Sequence, residues 1–274
     1  MTCRPTRLTR VLSSALAAAA LLATGACSDD GGQDGTGTSG VTASPAARKQ
    51  PTGSPSPTLS ESGAKAALIT EADIEDAWTQ VKDSEAAGWH DSLLIGDVDV
   101  ADFLTAKSDA SDCQKLLDNL YDNDLLGKPS GASALRGFEE GNSRLLYQVA
   151  AYDRSDLDSA LAWLKTLPDE CDQFTATEDG QKRTVQVIET DLPDVGDDRQ
   201  GLRVTVRGKV DGDQTTLTQD VGVVRVGSDA ITVTAGGLDG GEEDSVDQAV
   251  KLGTQRLKDV LAGRTPAASP SEIE

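Results

Sequence analysis

The reactive side chains of this 274-residue chain are few: four cysteines, at positions 3, 27, 113 and 171, and one histidine, His90. A hydrolytic triad would have to be built on His90, yet neither Gly-x-Ser-x-Gly nor Ser-x-x-Lys with its partner motifs follows the N-terminal segment. A lone His beside Trp89 reads more simply as a loop or half-buried residue than as a base. Zinc fits no better, because His90, Cys113 and Cys171 lack ligand spacing. Acids cluster in three places: Asp191, Asp194, Asp197 and Asp198; Asp239, Glu242, Glu243 and Asp244; and Asp122 with Asp124. Calcium needs six or more converging oxygens, and an EF-hand loop begun at Asp122 fails with Leu126 at its fifth position and Ser133 at its twelfth. A glycosidase pair would need two carboxylates at a set separation across a cleft, which spacing alone does not provide. The expectation is solvated loop charge, with no catalytic residue, cofactor or metal.

Cys27 has a different chemistry available. Arg4, Arg7 and Arg10 precede an apolar run, Val11 to Ala23, too short for a comfortable permanent span, and small residues follow. Thr24-Gly25-Ala26-Cys27 resembles the bacterial lipobox, departing from it in having Thr24 where Leu is usual. That resemblance implies cleavage before Cys27 and a diacylglycerol thioether on its sulfur. Several acyl chains hold a protein on a membrane far better than one can. Cys3 then leaves with the signal, and Cys113 and Cys171 remain to pair in a compartment where disulfides persist.

The charge narrows the partners. Asp and Glu number 46 against 25 Lys and Arg, for a net charge of −21, and loss of the three signal arginines makes the mature chain more acidic still. Such a surface repels nucleic acid and anionic lipid. The expected partners are the lipid anchor in the membrane and an unidentified envelope ligand or protein.

The elements that would carry these groups follow from composition and periodicity. Residues 1–26 are the signal. Residues 27–65, rich in Gly, Ser, Thr, Pro and Asp, bury too little to fold and form a disordered linker. The domain spans 66–263, and 264–274 is a disordered tail. Thr70 is expected to cap a helix that places Ile69, Ile74 and Trp78 on one face, and residues 88–104 read as loop or short strand. A second helix from Ser111 buries Cys113, Leu116, Leu117 and Leu120. Ser133–Glu139 and Ser143–Tyr152 form a hairpin with Leu145, Tyr147, Val149 and Ala151 on one face. A helix with Leu157, Leu161 and Leu164 inward stops at Leu167-Pro168. Strands follow at Thr184–Thr190, Leu202–Val210, Thr216–Val226 and Ala230–Ala235, and a last helix, Asp244–Ala262, ends at Gly263. This order predicts an α+β fold, helices packed on an antiparallel sheet with one disulfide. Trp78 and Trp163 lie on apolar stripes, whereas Trp89 belongs to none and is the candidate cleft residue.

The run Leu68-Ile69-Thr70-Glu71-Ala72-Asp73-Ile74, the cysteine in an early helix, the Ala160-Leu161-Ala162-Trp163-Leu164 helix, the Cys171-Asp172-Gln173-Phe174 step and the strand Val221 to Gly227 together resemble the PknH-like extracellular sensor domains and lipoprotein relatives of actinobacteria. The resemblance covers about residues 66–263. It implies a cleft that binds an extracellular ligand. A second disulfide is common in the later half of such domains, and here no cysteine follows Cys171. On this reading the protein is a non-catalytic, membrane-anchored binding domain on the outer face of the cell membrane. The alternatives are an envelope protein-interaction or assembly factor and, behind it, a hydrolase of unrecognised type.

Overall fold

A computed structural model describes residues 58–267 apart from Glu75, Asp76, Asp97 and Asp211. The expected signal, Cys27 and most of the linker lie outside the described residues.

Order begins earlier than composition suggests. Helix α1, Glu61–Ala66, falls, all but its last residue, inside the stretch expected to be linker, with Ser60 Oγ accepting from Gly63 N at 3.1 Å as its N-cap. Small residues make this possible: Ala64 is fully buried, and a Cβ on Gly63 would stand 2.9 Å from Val260 Cγ1. The Thr70 turn forms, with the Asp73 carboxylate accepting from Thr70 N (2.8 Å) and Oγ1 (3.0 Å), but it closes only a 3₁₀ turn at Glu71–Asp73. Ile74 is extended, so Ile69, Ile74 and Trp78 reach the core along a bent path and not along a helix face. Trp78 Nε1 donates to Ser245 Oγ at 3.1 Å.

Short elements fill the next stretch: β1 (Thr79–Gln80), α2 (Asp83–Ala86), the hairpin β2 (Leu94–Ile95) and β3 (Val98–Asp99), and α3 (Ala101–Leu104). Then come α4 (Ser111–Asn119), β4 (Ser133–Glu140), β5 (Ser143–Ala151) and α5 (Arg154–Glu170). Pro168 does not stop α5; it sits in the last turn, and Cys171 N still bonds Leu167 O at 2.8 Å. The meander gains an edge strand that the sequence reading did not contain, β6 (Gln173–Glu178), before β7 (Gln181–Thr190), β8 (Asp198–Val210), β9 (Asp213–Val226) and β10 (Asp229–Gly237). Helix α6, Glu243–Leu261, closes the domain, and Gly263 follows it with φ +71°.

All eight strands of the main sheet pair antiparallel, in the order β1-β4-β5-β10-β9-β8-β7-β6. Alternation feeds two cores. Leu145, Tyr147, Val149, Val224, Ile231 and Val233 face α1 and α6, while Leu146, Ala150, Val185, Val204, Val221 and Val223 face α2 to α5. The fold is therefore α+β as expected, with helices on both faces of the sheet. Cys113 and Cys171 form the disulfide, Cα–Cα 5.6 Å, joining α4 to the end of α5.

Asp229, at the start of β10, is 4% exposed and has no hydrogen bond to its carboxylate among the described residues. Burial raises its pKa to about 6. From the ordinary carboxylate range up to about 6, the folded state keeps a proton that the unfolded chain has released, so ionisation costs stability as pH rises through that window. Asp229→Asn is expected to stabilise the protein at pH 7 by about 1 kcal/mol, a figure discounted for partial solvent screening, and to give no gain near pH 3.5. Urea denaturation at the two pH values measures the difference; an equal effect at both would contradict the assignment.

Candidate functional site

The loop between β7 and β8 and the first half of α6 build a concave surface. Leu192 and Val195 anchor the loop by packing on the α1/α6-side core. Gly196 pins it against β9: its φ is +75°, and a Cβ there would stand 2.4 Å from Val224 Cγ1 and 2.7 Å from Arg225 O. Asp197 completes the staple, its N–H donating to Arg225 O and its Oδ2 accepting from Gly227 N, both at 2.7 Å. Across the loop, Arg199 Nη1 pairs with Asp194 Oδ1 at 2.8 Å. Lys165 of α5 reaches Asp198 Oδ1 at 2.7 Å. Burial opposes ionisation of Asp198, but the Lys165 hydrogen bond, the Arg199 amide and the Lys165 and Arg225 charges outweigh it and hold its pKa below the usual range.

Two concavities flank this loop. One, of about 310 Å³, lies between the loop's two legs and is lined by Glu189, Thr190, Asp191, Leu192, Asp198, Arg199, Gln200 and Gly201. The other, of about 540 Å³, opens between Pro193, Asp194 and Val195 of the loop and Asp244, Asp247, Gln248 and Lys251 of α6. Its volume lies in the range of small-molecule sites, and its wall mixes apolar surface with charge. Asp247 is the perturbed group in it. Burial first, and then the charges of Glu243, Asp244, Asp191 and Asp220, raise its pKa, and its Oδ1 is buried with no hydrogen-bond partner. A cationic donor entering the cavity would relieve that carboxylate.

The floor beside it is cross-linked. Asp220 of β9, 2% exposed, takes Arg203 of β8 bidentately, Nε to Oδ1 at 2.7 Å and Nη2 to Oδ2 at 3.0 Å, and Arg203 Nη2 also reaches Glu243 Oε2 at 2.9 Å. Ser143 Oγ donates to Glu242 Oε1 at 2.6 Å, tying the β4–β5 turn to the entry of α6.

The residues singled out by sequence fall in different places. Asp194 and Asp244, from two separate acidic runs, meet at the larger cavity, whereas Asp197 and Asp198 hold the loop in place. Among the described residues, no group of three or more His, Cys, Asp or Glu side chains is arranged to hold a metal. His90 Nδ1–H donates to Leu120 O at 2.9 Å. Trp89, the expected cleft residue, lines neither of these two cavities. It is 3% exposed, stands edge-on to Tyr121 with ring centroids 5.9 Å apart, and packs over Gly137, where a Cβ would meet its ring at 2.7 Å. That contact gives Trp89 the apolar partner that no helical stripe supplied. Pro193, Val195, Asp247, Gln248 and Lys251 were not singled out by sequence, because only the fold brings the loop to α6.

No family model matches the chain, and no curated protein matches it. Among solved structures, it is similar to the extracellular domain of PknH from Mycobacterium tuberculosis, at 12% identity and a TM-score of 0.40, over 75% of this chain and 98% of that one. A likeness this distant carries nothing to the site.

Proposed function

We propose that the protein is an extracytoplasmic lipoprotein, anchored through Cys27, whose α+β domain binds a small ligand and performs no reaction on it. The anchor rests on the sequence around Cys27. The disulfide between Cys113 and Cys171 suits an oxidising compartment. The binding half is carried by one observation: the cavity of about 540 Å³ between the Pro193–Val195 segment and α6, with the under-solvated Asp247 carboxylate on its wall. A ligand bearing an ammonium group and a modest apolar body matches that lining, with Asp194, Asp244 and Asp247 as acceptors and Gln248 fixing orientation.

A thermal-shift screen of amines, amino sugars and envelope glycans tests the binding, using the full chain with Cys27→Ala so that no acyl group competes. A ligand at about 100 times its Kd stabilises by about 2.7 kcal/mol and raises Tm by roughly 5–10 °C. Asp247→Asn with Gln248→Ala is expected to abolish the shift. A hit that survives those changes places binding elsewhere.

A further inference from the structure

One exposed face of this acidic protein carries basic residues without ion-pair partners at one end, while the acid on that face, Asp220, lies further along it and is already paired with Arg203. Helix α6 covers β9 and β10 on its side of the sheet, and beyond it the same face of β6, β7 and β8 lies open, with Ile188 43% exposed on it. Strand register sets Thr175, Thr184, Arg207 and Thr216 in one row, and Gln173, Gln186, Thr205 and Thr218 in the next. Lys182, opposite Thr177, and Lys209, opposite Gln214, continue the pattern two residues further along their strands. Lys182, Arg207 and Lys209 are exposed, and none of them makes an ion pair or hydrogen bond among the described residues. The carboxylates of Glu178, Asp179 and Asp213 belong to the ends and turns of these strands, at the rim.

This clustering runs against the rest of the chain. Arg144, Arg199, Arg203 and Arg225 each find a carboxylate, in a sequence with 46 acids for 25 bases. Arg207 makes no ion pair among the described residues, and on the inner face of the same end Arg183 is held by the charges of Asp102 and Glu178 without a direct ion pair. Arg183 is 5% exposed, its guanidinium lies 4.2 Å from the Phe103 ring centroid, and its Nε and Nη1 are unpaired. Three exposed cations without an ion pair among the described residues, Lys182, Arg207 and Lys209, lie together at one end of the sheet and mark a surface that an anion completes.

We propose that the open face of β6, β7 and β8, with the outer half of β9, binds a linear phosphate-bearing polymer, its phosphates seated on Lys182, Arg207 and Lys209 with the threonine hydroxyls donating beside them. Phosphate suits the face because its oxygens point in several directions and meet guanidinium and hydroxyl donors together. A linear polymer suits it because a strand-wide contact avoids the surrounding acids. An anionic bilayer would bring those acids against its own charge. This surface is separate from the cavity beside α6 and goes beyond the small-ligand reading.

The test is fluorescence anisotropy of labelled inorganic polyphosphate with the full chain at low salt. Lys182→Gln/Arg207→Gln/Lys209→Gln is expected to weaken binding about tenfold or more and to reduce the slope of log K against log salt by about two. Lys65→Gln/Lys82→Gln/Lys258→Gln removes the same charge elsewhere and is expected to change affinity by less than about twofold. Circular dichroism establishes that the variants are folded, and Arg207→Gln alone, set beside Arg207→Lys, gives the same reading should the triple variant unfold. Absence of wild-type binding, equal losses in both triple variants, or tighter binding to vesicles of anionic phospholipid than to polyphosphate would each overturn the proposal.

Discussion

Replacing Cys113 and Cys171 together by alanine is expected to destabilise the domain by about 4 kcal/mol and to lower its Tm by roughly 10 °C. The magnitude follows from the closed loop, whose ends are 58 residues apart in sequence: the cross-link removes conformations from the unfolded chain that the variant regains. The native state loses a contact as well. Cys113 is 2% exposed and Cys171 fully buried, and their bridge pins α4 to the end of α5, where Pro168 has already removed one helical N–H. Calorimetry of the oxidised protein and the double variant measures the effect. A shift of less than about 2 °C would mean that the reduced unfolded chain is already held together by residual structure across that loop.

Much of this architecture is legible in the residues because one local signal dominates at each place. The β4–β5 hairpin shows in the alternation of Leu145, Tyr147, Val149 and Ala151 about Gly141-Asn142, and α6 shows in a long apolar stripe ended by Gly263 in a left-handed conformation. Other elements depend on partners distant in sequence. Residues 58–66 look unable to fold until Val260 of α6 supplies the surface on which Gly63 and Ala64 pack. The Thr70 turn stops short of a helix because Ile69, Ile74 and Trp78 are drawn into a core built by β5, β10 and α6. Strand β6 alternates weakly, since only Phe174 and Ala176 face the core and its outer edge meets little more than Lys107. The acidic runs near Asp194 and Asp244 are visible as composition, yet that they share one cavity depends on the path of β8 and β9 between them. For Asp247, a helical spacing three residues after Asp244 is a signal that sequence offers, and it becomes informative once Asp191 is known to lie nearby.

The Cys27 anchor is where the account is most exposed to test. If Cys27 carries several acyl chains, each buried methylene contributes about 0.8 kcal/mol, enough in sum to hold the protein on a bilayer through any wash that leaves the bilayer intact. Among the described residues, no helix is long and apolar enough to cross a membrane. The decisive measurement is membrane fractionation of cells expressing the wild-type chain and Cys27→Ala, with intact-mass analysis of the recovered protein. The account predicts that the wild-type protein sediments with membranes, begins at Cys27 and carries the mass of the thioether lipid, while Cys27→Ala loses that lipid and is released from its lipid-held state. A Cys27→Ala protein held as firmly on the membrane as wild type, or a wild-type protein with an unmodified Cys27, would contradict it.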